Sequence, residues 1–171
     1  MTAELIVLRL VHVVGGTFWV GAILLQSLFV FPALMEAGPA AGPVMAGLMK
    51  RKLMIVLPVV ALLTILAGAR LMYIAAAATG GAYFQSNTGR TFAIGAASGI
   101  IAFLIGVLVG RPAAMRMGQL NAAMAKAPEA ERAGLAAQLA AVRRRTGLAG
   151  NAVTVLLLIA ASAMAIARYV G

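Results

Sequence analysis

The sequence contains no cysteine, one histidine, one tryptophan and four acidic residues among 171. Without cysteine there is no disulfide, no thiolate metal ligand and no thiol nucleophile. A lone histidine cannot make an HExxH zinc site, and GxSxG and phosphate-loop motifs are also missing. The acids are Glu4, Glu36, Glu129 and Glu131. None lies in the middle of an apolar run, which argues against paired-carboxylate catalysis and against an intramembrane Asp or Glu proton relay. No catalytic residue is assigned, and these absences weigh against an enzyme. The N-terminal MTAE has no basic stretch, and the apolar run behind it is too long for a signal peptide, so the first apolar segment is expected to be retained.

What is present is apolar surface. Hydrophobic residues make up 63% and charged residues 11%, with a mean hydropathy of +1.02. A chain of this size has no use for so much apolar surface in water, so its solvent is expected to be the lipid bilayer. A membrane span needs roughly 20 apolar residues. Four runs qualify, at about 5–31, 53–77, 91–110 and 148–166. They fill the chain as a single integral membrane domain over 1–171, an all-α polytopic four-helix bundle.

The charge is one-sided. Ten of the 14 basic residues (Lys50, Arg51, Lys52, Arg111, Arg116, Lys126, Arg132, Arg143, Arg144 and Arg145) fall in the loops between spans one and two and between spans three and four. Arg9, Arg70, Arg90 and Arg168 fall at the other end. The positive-inside rule then puts both loops in the cytoplasm and both termini in the periplasm of a bacterial inner membrane. Basic residues at span ends are orientation signals, so the pI of about 11.6 is not read as nucleic-acid binding.

Between spans one and two, EAGPAAGPVMAG reads as a short loop punctuated by Gly38-Pro39 and Gly42-Pro43. Between spans three and four, residues 111–146 read as a cytoplasmic helical hairpin. Pro128 and two acids open its second arm, three arginines close it, and Leu135, Leu139 and Val142 form its apolar stripe. A tandem helical-hairpin repeat is also visible. Span one leaves through FPALM and span three through RPAAM; span two follows KRK and ends AGARLMY, while span four follows RRR and ends AIARY. On span three, Gly95, Gly99, Gly106 and Gly110 form two GxxxG pairs, a face for close helix packing or for another membrane subunit.

The stretch LRLVHVVGGTFWVG, residues 8–21, carries the chain's sole histidine and sole tryptophan. Arg9, His12, Gly16 and Trp19 share one helical face. Trp19 is expected to pack in the core. The other periplasmic helix ends supply Arg70, Met72 and Tyr73, so a cap of His12, Arg9, Arg70 and Tyr73 is expected, with His12 within reach of Arg70 or Tyr73. Such a cap could hold haem through one axial imidazole, copper through His12 and Met72, an anion, or no ligand at all.

LRLVHVVGGTFWVGAILLQSLFVFPAL and the following GLMKRKLMIVLPVVALLTILAGARLMY resemble the first two helices of CopD-like bacterial membrane proteins, over residues 1–75. The resemblance implies a small four-helix membrane protein with a role in copper transport or homeostasis. The broader group includes HemJ-type protoporphyrinogen oxidases, which pair the first-helix histidine with a lysine in a later span. Here His12 matches, but Lys50, Lys52 and Lys126 all lie outside the spans.

Overall fold

The computed structural model describes residues 2–171, apart from the side chain of Pro39. Among them there is no strand; the chain is an all-α bundle with four helical columns long and apolar enough to cross a membrane. Lipid offers no hydrogen-bond partner to the backbone, so a spanning segment must satisfy its N–H and C=O groups internally.

The first column is α1 (Ala3–Leu25), a five-residue π-helical segment (Gln26–Val30, here π1) and α2 (Phe31–Glu36). A short helix, α3 (Ala41–Lys50), leads into the second column, α4 (Leu53–Ala78). The third is α5 (Asn87–Ile105), a second π segment (Gly106–Gly110, π2) and α6 (Arg111–Lys126). The fourth is the 38-residue α7 (Glu129–Ile166), about 57 Å long at 1.5 Å per residue.

The π segments have a common cause. Each stands directly before an X-Pro pair, Phe31-Pro32 or Arg111-Pro112. Proline cannot donate to the turn before it, and its ring crowds that turn. Widening the turn by one residue relieves both problems. The backbone N–H of Phe31 accordingly reaches Gln26 O, and that of Arg111 reaches Gly106 O. The two junctions are related by one constant offset along the chain.

The region expected to be a loop after span one contains α3. Gly38, at φ +55°, ends the first column. Pro43 is then the third residue of α3, where a missing N–H has no intrahelical partner to lose. Lys52 makes the turn into α4 at φ +59°, the one non-glycine left-handed residue among those described. At the other end of α4, Gly80 and Gly81 take φ +58° and +88°, and Gly81 N donates to Ala76 O at 3.1 Å. That glycine cap releases the chain into the turn before α5. There Ser86 caps α5 by accepting from Gly89 N at 3.0 Å. Burial pushes the Tyr83 phenol in this turn above its ordinary pKa.

α1 packs along α4, and α5 packs along α7, giving two helical hairpins. The core lies where they meet. Trp19, Ala61, Ala102, Val153 and Leu157 are buried together, with Trp19 edge-on to Phe103 at 6.5 Å. Thr154 Oγ1 donates to Gly150 O at 2.9 Å and shares a hydrogen bond with the Ser27 hydroxyl at 3.1 Å, joining the first hairpin to the second. Beyond the apolar part of the bundle, α6 packs on the first half of α7 over buried Leu120 and Leu139. The helical extension between columns three and four is thus a packed hairpin. α7 passes through Arg143–Arg145 without a break, whereas α4 begins at its own basic cluster.

Candidate functional site

His12 lies on α1 about 13 Å from the helix start, at the end of the bundle that carries both termini. Its ring is half-buried against α4. Nδ1 is 2.8 Å from the backbone carbonyl of Thr64. A carbonyl oxygen only accepts, so Nδ1 carries the proton and donates. In the neutral ring the Nε2 lone pair is then left for another partner. Among the described residues Nε2 has no hydrogen bond, yet it is not sealed away.

The sequence around the ring explains its place. A Cβ on Gly68 would stand 2.6 Å from His12 Cε1 and 2.7 Å from Nδ1, so only glycine admits the imidazole here. One turn deeper the roles reverse. A Cβ on Gly15 would stand 2.5 Å from Thr64 Oγ1, and Gly16 faces the Thr64 methyl. Thr64 Oγ1 is itself held by donating to Val60 O at 2.8 Å. Two polar side chains therefore interlock over two glycines. Thr64, Gly68 and Met72, four residues apart in turn, share one stripe of α4.

The expected cap does not form as one cluster. The partner expected for His12 was Arg70 or Tyr73; the observed partner is the Thr64 carbonyl. Arg70 turns to Glu4 instead, with Nη2 and Nε at 2.8 and 2.9 Å from Oε1. Its guanidinium lies 5.5 Å from the centroid of the Tyr73 ring. A carboxylate on the same end of the bundle offers the guanidinium a full opposite charge, which an imidazole does not. Both side chains of the pair are half exposed, so it contributes at most about 1 kcal/mol. Arg9 is exposed one turn before His12.

The glycine face also needs correction. Gly95 is in tight contact: a Cβ there would lie 3.2 Å from Ala163 Cβ and 3.3 Å from Ala160 O on α7. Gly99 and Gly106 have open space at the same point, and Gly110 meets only its own helix. Gly106 and Gly110 bound π2. Trp19 is buried, 7% exposed.

Thr64, Gly68 and Gly15 were not singled out from sequence. The Gly15-Gly16 pair one turn after His12 was the available signal, together with Thr64 and Gly68 at helical spacing in the second span.

Among the described residues no three His, Cys, Asp or Glu side chains gather around a point. Any metal at His12 must therefore rely on imidazole and thioether. A porphyrin fits poorly: the His12 ring packs on Gly68, and the two cavities that stand out, about 440 and 460 Å³, are elsewhere, on the α5–α7 surface and around π2. An anion fits poorly as well, since Glu4 already neutralises Arg70. A small soft cation asks only for donor atoms, and imidazole and thioether, the side-chain groups of His12 and Met72, are of the kind Cu(I) accepts. Compared with known protein families, curated proteins and solved structures, the chain finds no match.

Proposed function

We propose that this is a non-enzymatic, CopD-like protein of the bacterial inner membrane that binds Cu(I) on its periplasmic side through His12 Nε2, with Met72 as the thioether donor. The observation that carries this reading is the 2.8 Å contact between His12 Nδ1 and the Thr64 carbonyl. Metal-ligating histidines characteristically donate their other ring N–H to a carbonyl or carboxylate, which fixes the tautomer and makes the free nitrogen a better donor. The skew of basic residues towards the opposite end supports the orientation. The resemblance of residues 1–75 to CopD-like helices supports the choice of copper.

Metal analysis after Cu(I) titration of the detergent-purified protein tests it. The wild type is expected to retain one ion. His12→Gln should abolish retention, and Met72→Leu should weaken it by about tenfold to a hundredfold. Wild type that retains no copper, or His12→Gln that retains as much, refutes the proposal; a Soret band that His12→Gln removes would return the site to haem.

A second reading, an accessory subunit or assembly factor of a larger respiratory or photosynthetic complex, is favoured by one feature. The packed α6–α7 hairpin extends well past the apolar spans and carries Arg116, Lys126 and Arg132 on its surface. Migration in a large assembly on native electrophoresis of gently solubilised membranes, with or without copper, would support that reading.

A further inference from the structure

The two X-Pro junctions are structurally alike and chemically opposite. In the first, Phe31, Pro32, Met35 and Glu36 follow π1. In the second, Arg111, Pro112, Met115 and Arg116 follow π2. Proline and methionine recur at matching positions, but two arginines stand where the first junction has an aromatic ring and an acid. Forming the kink does not require them, because the first column makes it without them.

Around the second junction is an open surface groove of about 460 Å³ lined by Val107, Arg111, Pro112, Met115, Arg116 and Gln119. Val107, Pro112 and Met115 supply its apolar lining; Arg111, Arg116 and Gln119 supply its polar part. Neither arginine has an acidic partner within 4.0 Å. The ion pairs Arg70–Glu4 and Arg132–Glu129 involve neither of them. Arg116 Nη2 donates to Gln138 Oε1 on α7 at 3.3 Å, which holds its side chain against the hairpin while leaving its charge uncompensated.

The site lies where the apolar run of the third column gives way to charge. Leu108 and Val109, just before Arg111, are exposed, as are Ile101 and Leu104 above them. An occupant must therefore meet both apolar surface and two guanidinium groups. A phosphodiester suits the guanidinium fork, and an acyl chain suits the apolar wall. We infer that the groove at Arg111 and Arg116 binds one anionic phospholipid, its phosphate between the two arginines and a chain along Val107, Pro112 and Met115. A soluble phosphate would use the arginines but leave the apolar wall bare. Basic pockets at this depth of a membrane protein are suited to lipid headgroups.

Native mass spectrometry of the full-length protein, from vesicles of equal phosphatidylglycerol and phosphatidylcholine, reads the bound lipid. The wild type is expected to keep one phosphatidylglycerol. R111Q/R116Q should retain it about tenfold less, while R143Q/R144Q, which removes the same charge from the same end of the bundle, should leave retention unchanged. The comparison between junctions gives a converse variant: F31R/E36R should capture a second phosphatidylglycerol, and this result decides the matter if R111Q/R116Q does not fold. Equal loss in both double-glutamine variants would show a general charge effect and overturn the inference. So would unchanged retention in R111Q/R116Q, no second lipid in F31R/E36R, or displacement of the lipid by millimolar inorganic phosphate.

Discussion

The two hairpins bring their helices together by different means. In the first, His12 lies over Gly68 and Thr64 lies against Gly15, so polar side chains fill hollows left by glycine. In the second, Gly95 meets Ala160 and Ala163 with Met164 folded over it, and the contact is almost wholly apolar. Gly15 and Gly95 occupy matching places relative to the two π segments, so one backbone plan carries two chemistries. In lipid, apolar packing gains little hydrophobic free energy, because the hydrocarbon outside is as apolar as the interface. The second hairpin gains mainly close van der Waals contact over a long interface. The first adds hydrogen bonds, and it thereby positions an imidazole in the membrane with one nitrogen committed and one available.

The largest effect should come from filling the hollows of the first hairpin. Gly68→Ala or Gly15→Ala forces the ring or the threonine out of place and should destabilise the protein by about 1–3 kcal/mol. Gly95→Ala should cost less, because one neighbour is the flexible end of Met164. Gly99→Ala and Gly106→Ala should be neutral or slightly stabilising, since alanine is the better helix former. Thermal unfolding in detergent ranks them; a Gly106→Ala loss as large as that of Gly68→Ala would erase the contrast between the hairpins.

A smaller effect is expected where the hairpins join. Thr154→Val removes the hydrogen bond to Ser27, together with its own bond to Gly150 O, while keeping the shape, and the interhelical bond should contribute about 0.6 kcal/mol, the average for such bonds between membrane helices. Ser27→Ala, which leaves the Thr154 bond to Gly150 O in place, should cost no more than Thr154→Val, and the double variant should cost about as much as Thr154→Val alone.

The smallest belongs to Glu4 and Arg70. Glu4→Gln should lower stability by less than about 1 kcal/mol, and the difference should vanish at high salt, because the pair is half exposed. Unfolding measured at low and high ionic strength checks this. A salt-independent loss of several kcal/mol would place the pair inside the packing of the first hairpin.

Much of this molecule was legible in its residues. Apolar runs of the right length imply helices because lipid leaves the backbone no other partner. Pro32 and Pro112 marked matching places in columns one and three, and FPALM and RPAAM proved to follow directly on a matching pair of π-helical segments. Pro128 and the acids after it marked the start of α7. The first interhelical segment misled, because Gly-Pro pairs punctuate loops and also open helices. At Pro43 the second use applies.

The site was legible only in part. His12 stood out because an ionisable ring in an apolar helix needs a partner. Its partner could not be read, because a backbone carbonyl has no letter in the sequence. Nor could the choice of Arg70 for Glu4, which depends on how α1 and α4 are rotated about their axes. Composition and periodicity determined that the chain is four long apolar helices, since burial in lipid and backbone satisfaction are properties of each segment alone. Only the packing of one helix on another decided which glycine became a contact, which polar groups met, and that the one imidazole keeps Nε2 open, because those outcomes depend on distances of a few tenths of an ångström between residues far apart in the chain.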